Sequence, residues 1–167
     1  LVTDNFSVSH TDLVAMAAVW LRKQRHTVVT TEIVSAWEIP DALGWRNSFS
    51  TLVECKVSRS DFFADIKKIH RKDGVQALGV YRYYLCPEGL LSVDEIPAKW
   101  GLLVATDKGI RKLKDAMAFD DVNRRGEISI LLSLLRRIGK DAPEGVSISC
   151  YIYTTKNTAT LGVEVDE

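Results

Sequence analysis

Cysteine is scarce and scattered in this chain. Cys55, Cys86 and Cys150 lie far apart, an odd count with no Cys-x-x-Cys spacing. That argues against a disulfide framework and against a structural zinc site, and it fits a protein of the reducing cytoplasm. Long apolar runs are missing too. None approaches the roughly 20 residues that a membrane helix needs, so no membrane partner is expected. The opening Leu1-Val2-Thr3-Asp4 has no charged stretch followed by an apolar one and does not read as a signal peptide. There is no excess of charge of one sign: Lys plus Arg and Asp plus Glu both number 22. The whole molecule is therefore no polycation, and any attraction to nucleic acid must come from local patches. His10, His26 and His70 are scattered, with no HExxH or zinc spacing, and read as surface residues. There is no GxGxxG and no GxSxG. Gly74 to Gly79 imitates the glycine spacing of a P-loop, but Val80-Tyr81 stands where Lys-Ser/Thr is required.

What is present suits one domain. A length of 167 residues allows a single core and would cramp two. Leu13, Met16, Ala17, Trp20 and Leu21 follow the helical stripe and predict a helix over 11–25, with Ser9 and Asp12 as a capping box. Thr27 to Trp37, Ile39 to Trp45 and Ser50 to Val57 read as three strands, with Arg46-Asn47-Ser48 as a turn. A helix over 60–72 follows, with Phe62, Ile66 and Ile69 as its apolar stripe and Asp73-Gly74 as its stop. Tyr81 to Cys86 reads as a strand, and Ser92 with Glu95 as a capped turn. Leu102 to Ala105 and Ile110 to Leu113 form a hairpin. A helix over 127–138 buries Ile128, Leu131, Leu132, Leu135 and Ile138 and stops at Gly139. Val146 to Tyr153 is a last strand, and the residues from Thr154 form a polar tail. The order predicts an α+β fold, a mixed sheet with helices packed against it. Its core spans about residues 10–105, with additions over 106–153 and the tail over 154–167, all in one domain.

One constellation carries chemistry. Hydrolysing a phosphodiester requires charge on the phosphate to be neutralised and a water to be activated, and a divalent cation does both. Magnesium takes hard oxygen ligands, commonly one or two carboxylates, and a protein cation can assist at the transition state. Glu54 and Lys56 are two apart on one strand and project from the same face. Asp41 lies on the preceding segment, where a hairpin can bring it beside Glu54. The carbonyl of Cys55 is a plausible third ligand, while its side chain points to the core. A bare Glu-x-Lys is often only a solvated face or a cross-strand pair. Here Leu52 and Val53 mark a central strand, where stray charges are costly.

Pro40-Asp41 followed by Glu54-Cys55-Lys56 resembles the PD-(D/E)XK nuclease superfamily. The stretch from Val53 to Asp65 is similar to the MmcB-like DNA repair proteins and related restriction-endonuclease-like nucleases. The resemblance covers about residues 10–105 and implies an α-β-β-β-α-β core, a Mg2+ (or Mn2+) site and a DNA substrate, with RNA also open. It implies Asp41 and Glu54 as metal ligands and Lys56 as the catalytic cation. Many members add an acidic residue from the first helix. Here that helix has only Asp12, at its start, and Glu32 on the first strand is the other acidic candidate. The alternative is a non-catalytic nucleic-acid-binding module in a larger complex. Cutting both strands of a duplex usually takes two sites, which makes a homodimer compatible with the reading.

Around this core, Ser58 and Ser60 read as helix caps, or, with Arg59, as contacts to a phosphate at a helix N-terminus. Asp61 and Asp65 share a helix face, as dipole compensation and partners of Lys68, with an outer metal role open to Asp61. Lys67, Lys68, Arg71 and Lys72 complete the largest local basic excess, which could track a phosphate backbone or be a solvated helix end. Tyr81, Tyr83 and Tyr84 could stack on bases or pack in the core.

Overall fold

A computed structural model of the chain describes residues 7–34, 38–72, 74–138 and 149–150. The start of the chain, residues 35–37 of the predicted first strand, Asp73, the stop at Gly139, most of the segment 146–153 and the tail from Thr154 lie outside the described residues.

One sheet runs through all the described strands. The first helix α1 (His10–Lys23) leads into β1 (Val28–Thr31), β2 (Ala42–Arg46) and β3 (Phe49–Cys55). Helix α2 (Arg59–Ile66), β4 (Tyr81–Pro87), β5 (Gly101–Thr106), β6 (Gly109–Lys114), α3 (Arg124–Ile138) and the two-residue β7 (Ser149–Cys150) follow. The spatial order is β6-β5-β4-β3-β2-β1-β7. The meander β1-β2-β3 is antiparallel, with Asn47 at φ 53° in its tight turn. The connection through α2 makes β3 and β4 parallel, and β5 joins β4 in parallel before β6 returns antiparallel. The fold is thus mixed α/β, with elements in the α-β-β-β-α-β order expected. Among the described residues, no helix is long and apolar enough to cross a membrane.

The alternation of side chains along each strand divides the core into two layers. Val53, Cys55 and Leu85 face α1, where Leu13, Val14, Ala17 and Leu21 are buried. Leu52, Tyr84, Cys86 and Leu102 face Phe62 of α2 and Ile130 and Leu134 of α3. The α1 start is a true capping box: Ser9 Oγ accepts from the Asp12 amide, and Asp12 accepts from the Ser9 amide.

Three elements depart from expectation. Strand β1 ends at Thr31, because Glu32 enters the left-handed region at φ 48°. Helix α2 stops at Ile66, and residues Ile69–Arg71 form a separate 3-10 turn with Ile69 exposed. Helix α3 buries Glu127, Ile130 and Leu134, while Ile128, Leu132 and Leu135 of the predicted stripe are exposed. The rotation is set by Glu127, whose Oε1 accepts from Ser50 Oγ (2.6 Å) and from the Gly79 amide (3.0 Å). A buried carboxylate must be satisfied, and satisfying this one turns the helix.

Candidate active site

The register of β2 and β3 decides where the acidic groups meet. Ala42 lies opposite Val53 and Leu43 opposite Leu52, so Asp41, one residue before β2, comes level with Glu54. Leu43 and Leu52 belong to the α2 layer, and Asp41, Glu54 and Lys56 share their parity. The structure brings these three side chains together. Lys56 Nζ lies 3.3 Å from Glu54 Oε2 and 4.0 Å from Asp41 Oδ2. Asp41 Oδ2 also accepts the Cys55 amide at 2.7 Å. The Lys56 amide instead donates to Leu85 on β4. This alternation of strand hydrogen bonding directs the Cys55 backbone groups toward the Asp41 side, while the Cys55 side chain is buried against α1.

Burial grades across the group. The side chains of Glu54 and Lys56 are 3% and 4% exposed, that of Asp41 is 17% exposed, so Asp41 forms the lip. Burial pushes the Glu54 carboxyl up to about 7; Arg71 opposes the shift and Asp41 adds to it. Burial works against the charge of Lys56, but Glu54, Asp65 and Asp41 outweigh it and hold its pKa above the ordinary value.

Four residues complete the cluster. Asp65 of α2 reaches Lys56 Nζ at 3.5 Å and Lys68 Nζ at 2.7 Å, and it accepts the Tyr84 hydroxyl at 2.9 Å. Its pKa is lowered; burial acts the other way, and Arg71 and Lys56 prevail. Arg71 Nη2 lies 2.9 Å from Glu54 Oε1, outside hydrogen-bonding alignment, and Arg71 Nε lies 2.9 Å from Asp65 Oδ2. Glu38 binds Arg71 Nη1 at 2.5 Å and the Leu78 amide at 2.9 Å. At the lip, His10 Nε2 sits 3.4 Å from Asp41 Oδ1, and Glu32 lies 4.0 Å from His10 Nδ1.

The other candidate residues fall in different places, and Arg71, His26 and His70 depart from the surface positions expected of them. Arg71 is no surface contact for nucleic acid but a buried partner of three carboxylates. Arg59 is exposed and is tied to Glu95 and to the Leu90 carbonyl. Ser58 caps α2 by accepting the Asp61 amide, and Ser60 Oγ lies 3.0 Å from Ser58 Oγ. Lys67 and Lys72 are exposed. Asp12 is engaged in its cap, and the first helix sends His10 toward Asp41 instead. His26 is buried, with Nδ1 2.9 Å from the Leu21 carbonyl and Nε2 2.9 Å from Thr51 Oγ1. His70 is half-buried, 3.8 Å from Glu38. Tyr84 is core, stacked on Trp100 at 4.4 Å.

Among the described residues, no three His, Cys, Asp or Glu side chains converge closely enough to hold a metal ion by themselves. Asp41 and Glu54 offer carboxylate oxygens, hard donors of the kind magnesium accepts with water completing its shell. Among the described residues, the four carboxylates of Glu38, Asp41, Glu54 and Asp65 meet the cations of Lys56, Arg71 and Lys68.

No family model matches the chain, and no curated protein matches it. Among solved structures it is similar to the SPO1766 protein of unknown function from Silicibacter pomeroyi, at 21% identity and a TM-score of 0.58. The likeness covers 80% of this chain and 91% of that one, and it bears on the fold alone.

Proposed function

We propose that this cluster is the centre of a Mg2+- or Mn2+-dependent nuclease that hydrolyses phosphodiester bonds in DNA, in the manner of the PD-(D/E)XK enzymes. The observation that carries the reading is the approach of Asp41 and Glu54 to one ammonium, Lys56 Nζ, from adjacent strands. Asp41, Glu54 and the Cys55 carbonyl would hold the cation. When bound, it would neutralise the scissile phosphate and make water a better nucleophile. Lys56 keeps its proton, because three carboxylates outweigh its burial, and so offers a fixed positive charge to the developing phosphorane. Asp41, at the lip, is the group that substrate meets first. Lys67 and Lys72 are exposed beyond the cluster, and Lys68 is half exposed at its edge beside Asp65; all three can meet the flanking phosphates.

One observation favours a second reading. Lys56 and Arg71 already neutralise part of the cluster from within, as they would in a binding module that keeps the fold without the reaction.

An assay on supercoiled plasmid, single-stranded DNA and RNA, each with Mg2+ or Mn2+, separates the two. Metal-dependent cutting that Asp41→Asn, Glu54→Gln and Lys56→Met all reduce by about a hundredfold or more supports the nuclease. Salt-sensitive binding with no cutting under either metal supports the module and overturns the nuclease.

A further inference from the structure

We propose that Arg71 is the positioning residue of this centre, orienting Glu54 by direct contact and Lys56 through Asp65. The inference rests on the reading of Glu54 and Lys56 as reactive groups. Its basis is geometric. The three nitrogens of one guanidinium each address a different carboxylate: Nη1 Glu38, Nη2 Glu54 and Nε Asp65. The side chain is 3% exposed, and its flat face lies 5.0 Å from the Trp100 ring. Trp100 in turn stacks on Tyr84, and the Tyr84 hydroxyl donates to the same Asp65 Oδ2 that faces Arg71 Nε. Asp65 spends its other oxygen on Lys56 and Lys68. Arg71, Asp65, Tyr84 and Trp100 therefore close a ring of contacts with both reactive side chains attached to it.

The chain path explains how Arg71 gets there. In a continued α2, Arg71 would stack in line with Lys67 and Phe63 at four-residue spacing. Both of those are exposed, so a regular helix would turn Arg71 to solvent. The helix instead stops at Ile66, and the 3-10 turn Ile69–Arg71 swings the guanidinium inward. Lysine could not replace it. A single ammonium has no planar fork to hold three carboxylates in fixed directions.

The test compares wild type, Arg71→Lys and Asp65→Asn by crystallography, by Mn2+ binding and by DNA cleavage. In Arg71→Lys the Glu54 carboxylate and Lys56 Nζ should shift. Mn2+ affinity should fall about tenfold to a hundredfold, and kcat should fall while KM for DNA stays within about twofold. A merely structural arginine would lower the melting temperature and leave the kcat of the folded enzyme unmoved. Asp65→Asn should displace Lys56 but not Glu54, and it decides the Lys56 branch if Arg71→Lys fails to fold. Unmoved Glu54 and Lys56 in an Arg71→Lys crystal overturn the inference. If wild type neither binds Mn2+ nor cuts DNA, the nuclease reading falls, while the two crystal structures still decide what Arg71 holds.

Discussion

Glu54 shows how chemistry and stability pull apart in single residues. Burial takes its carboxylate out of water and pushes its pKa up to about 7, against the pull of Arg71. A folded pKa above the unfolded value means that the stability this group contributes is present at low pH and is lost as pH rises from about 4.5 to about 7. Glu54→Gln removes that loss. The variant is expected to melt at the same temperature as wild type or higher at pH 8, while losing the metal-dependent cutting proposed above; calorimetry and a nicking assay check the pair. Lys56→Met should do the reverse to stability, because it leaves buried carboxylates with one cation fewer. A loss of about 3–5 kcal/mol is expected in urea unfolding. His26 gives a pH effect of opposite sign. Burial lowers its pKa first of all, with Arg46 adding to the effect. The neutral ring donates to the Leu21 carbonyl and accepts from Thr51. Its stabilisation is present above the unfolded value of about 6.5 and is lost as pH falls below it. The stability gap between wild type and His26→Gln should therefore narrow in urea titrations as pH drops below that value. Asp41, Glu54 and Lys56 were legible in the sequence because strand parity and a hairpin suffice to bring them together. Arg71, Glu38 and His26 were not. Each is placed by a partner distant in sequence, and a charged residue in a basic run looks the same whether it turns to water or inward.

At the scale of elements, local signals held where local forces act alone. The α1 capping box, the β5–β6 hairpin and the β3 alternation all follow from neighbouring residues. The α2 end and the α3 face did not, since buried carboxylates override the apolar stripe in both. Asp65 and Glu54 draw Arg71 out of helical register, and Glu127 turns α3 so that Ile128 and Leu132 face water. The close packing of β4 and β5 against α1 yields a further expectation. A Cβ on Gly101 would stand 2.2 Å from the Tyr83 ring, whose edge meets Trp20 of α1 at 5.3 Å between centroids. Gly101→Ala must displace Tyr83. It should cost about 1–3 kcal/mol by urea unfolding, as overpacking of a tight core does, and an unchanged midpoint would refute that packing. On the opposite face, Glu127→Ala should leave Ser50 Oγ and the Gly79 amide short of an acceptor and loosen α3, at a cost of about 1–3 kcal/mol.

Across the whole molecule, the sheet separates two tasks. Its α1 layer is apolar and holds the strands in place. Its α2 layer carries a polar network that extends from Glu38 through Arg71 and Asp65 to Lys56, and opens at Asp41 and His10. The proposed nuclease requires this opening to hold a divalent cation between Asp41 and Glu54. Anomalous diffraction from crystals soaked in Mn2+ tests it most directly. A peak between the two carboxylates is expected in wild type and should be lost in Asp41→Asn. A saturating soak that leaves this place empty, or a peak that persists without the Asp41 carboxylate, would contradict the proposal.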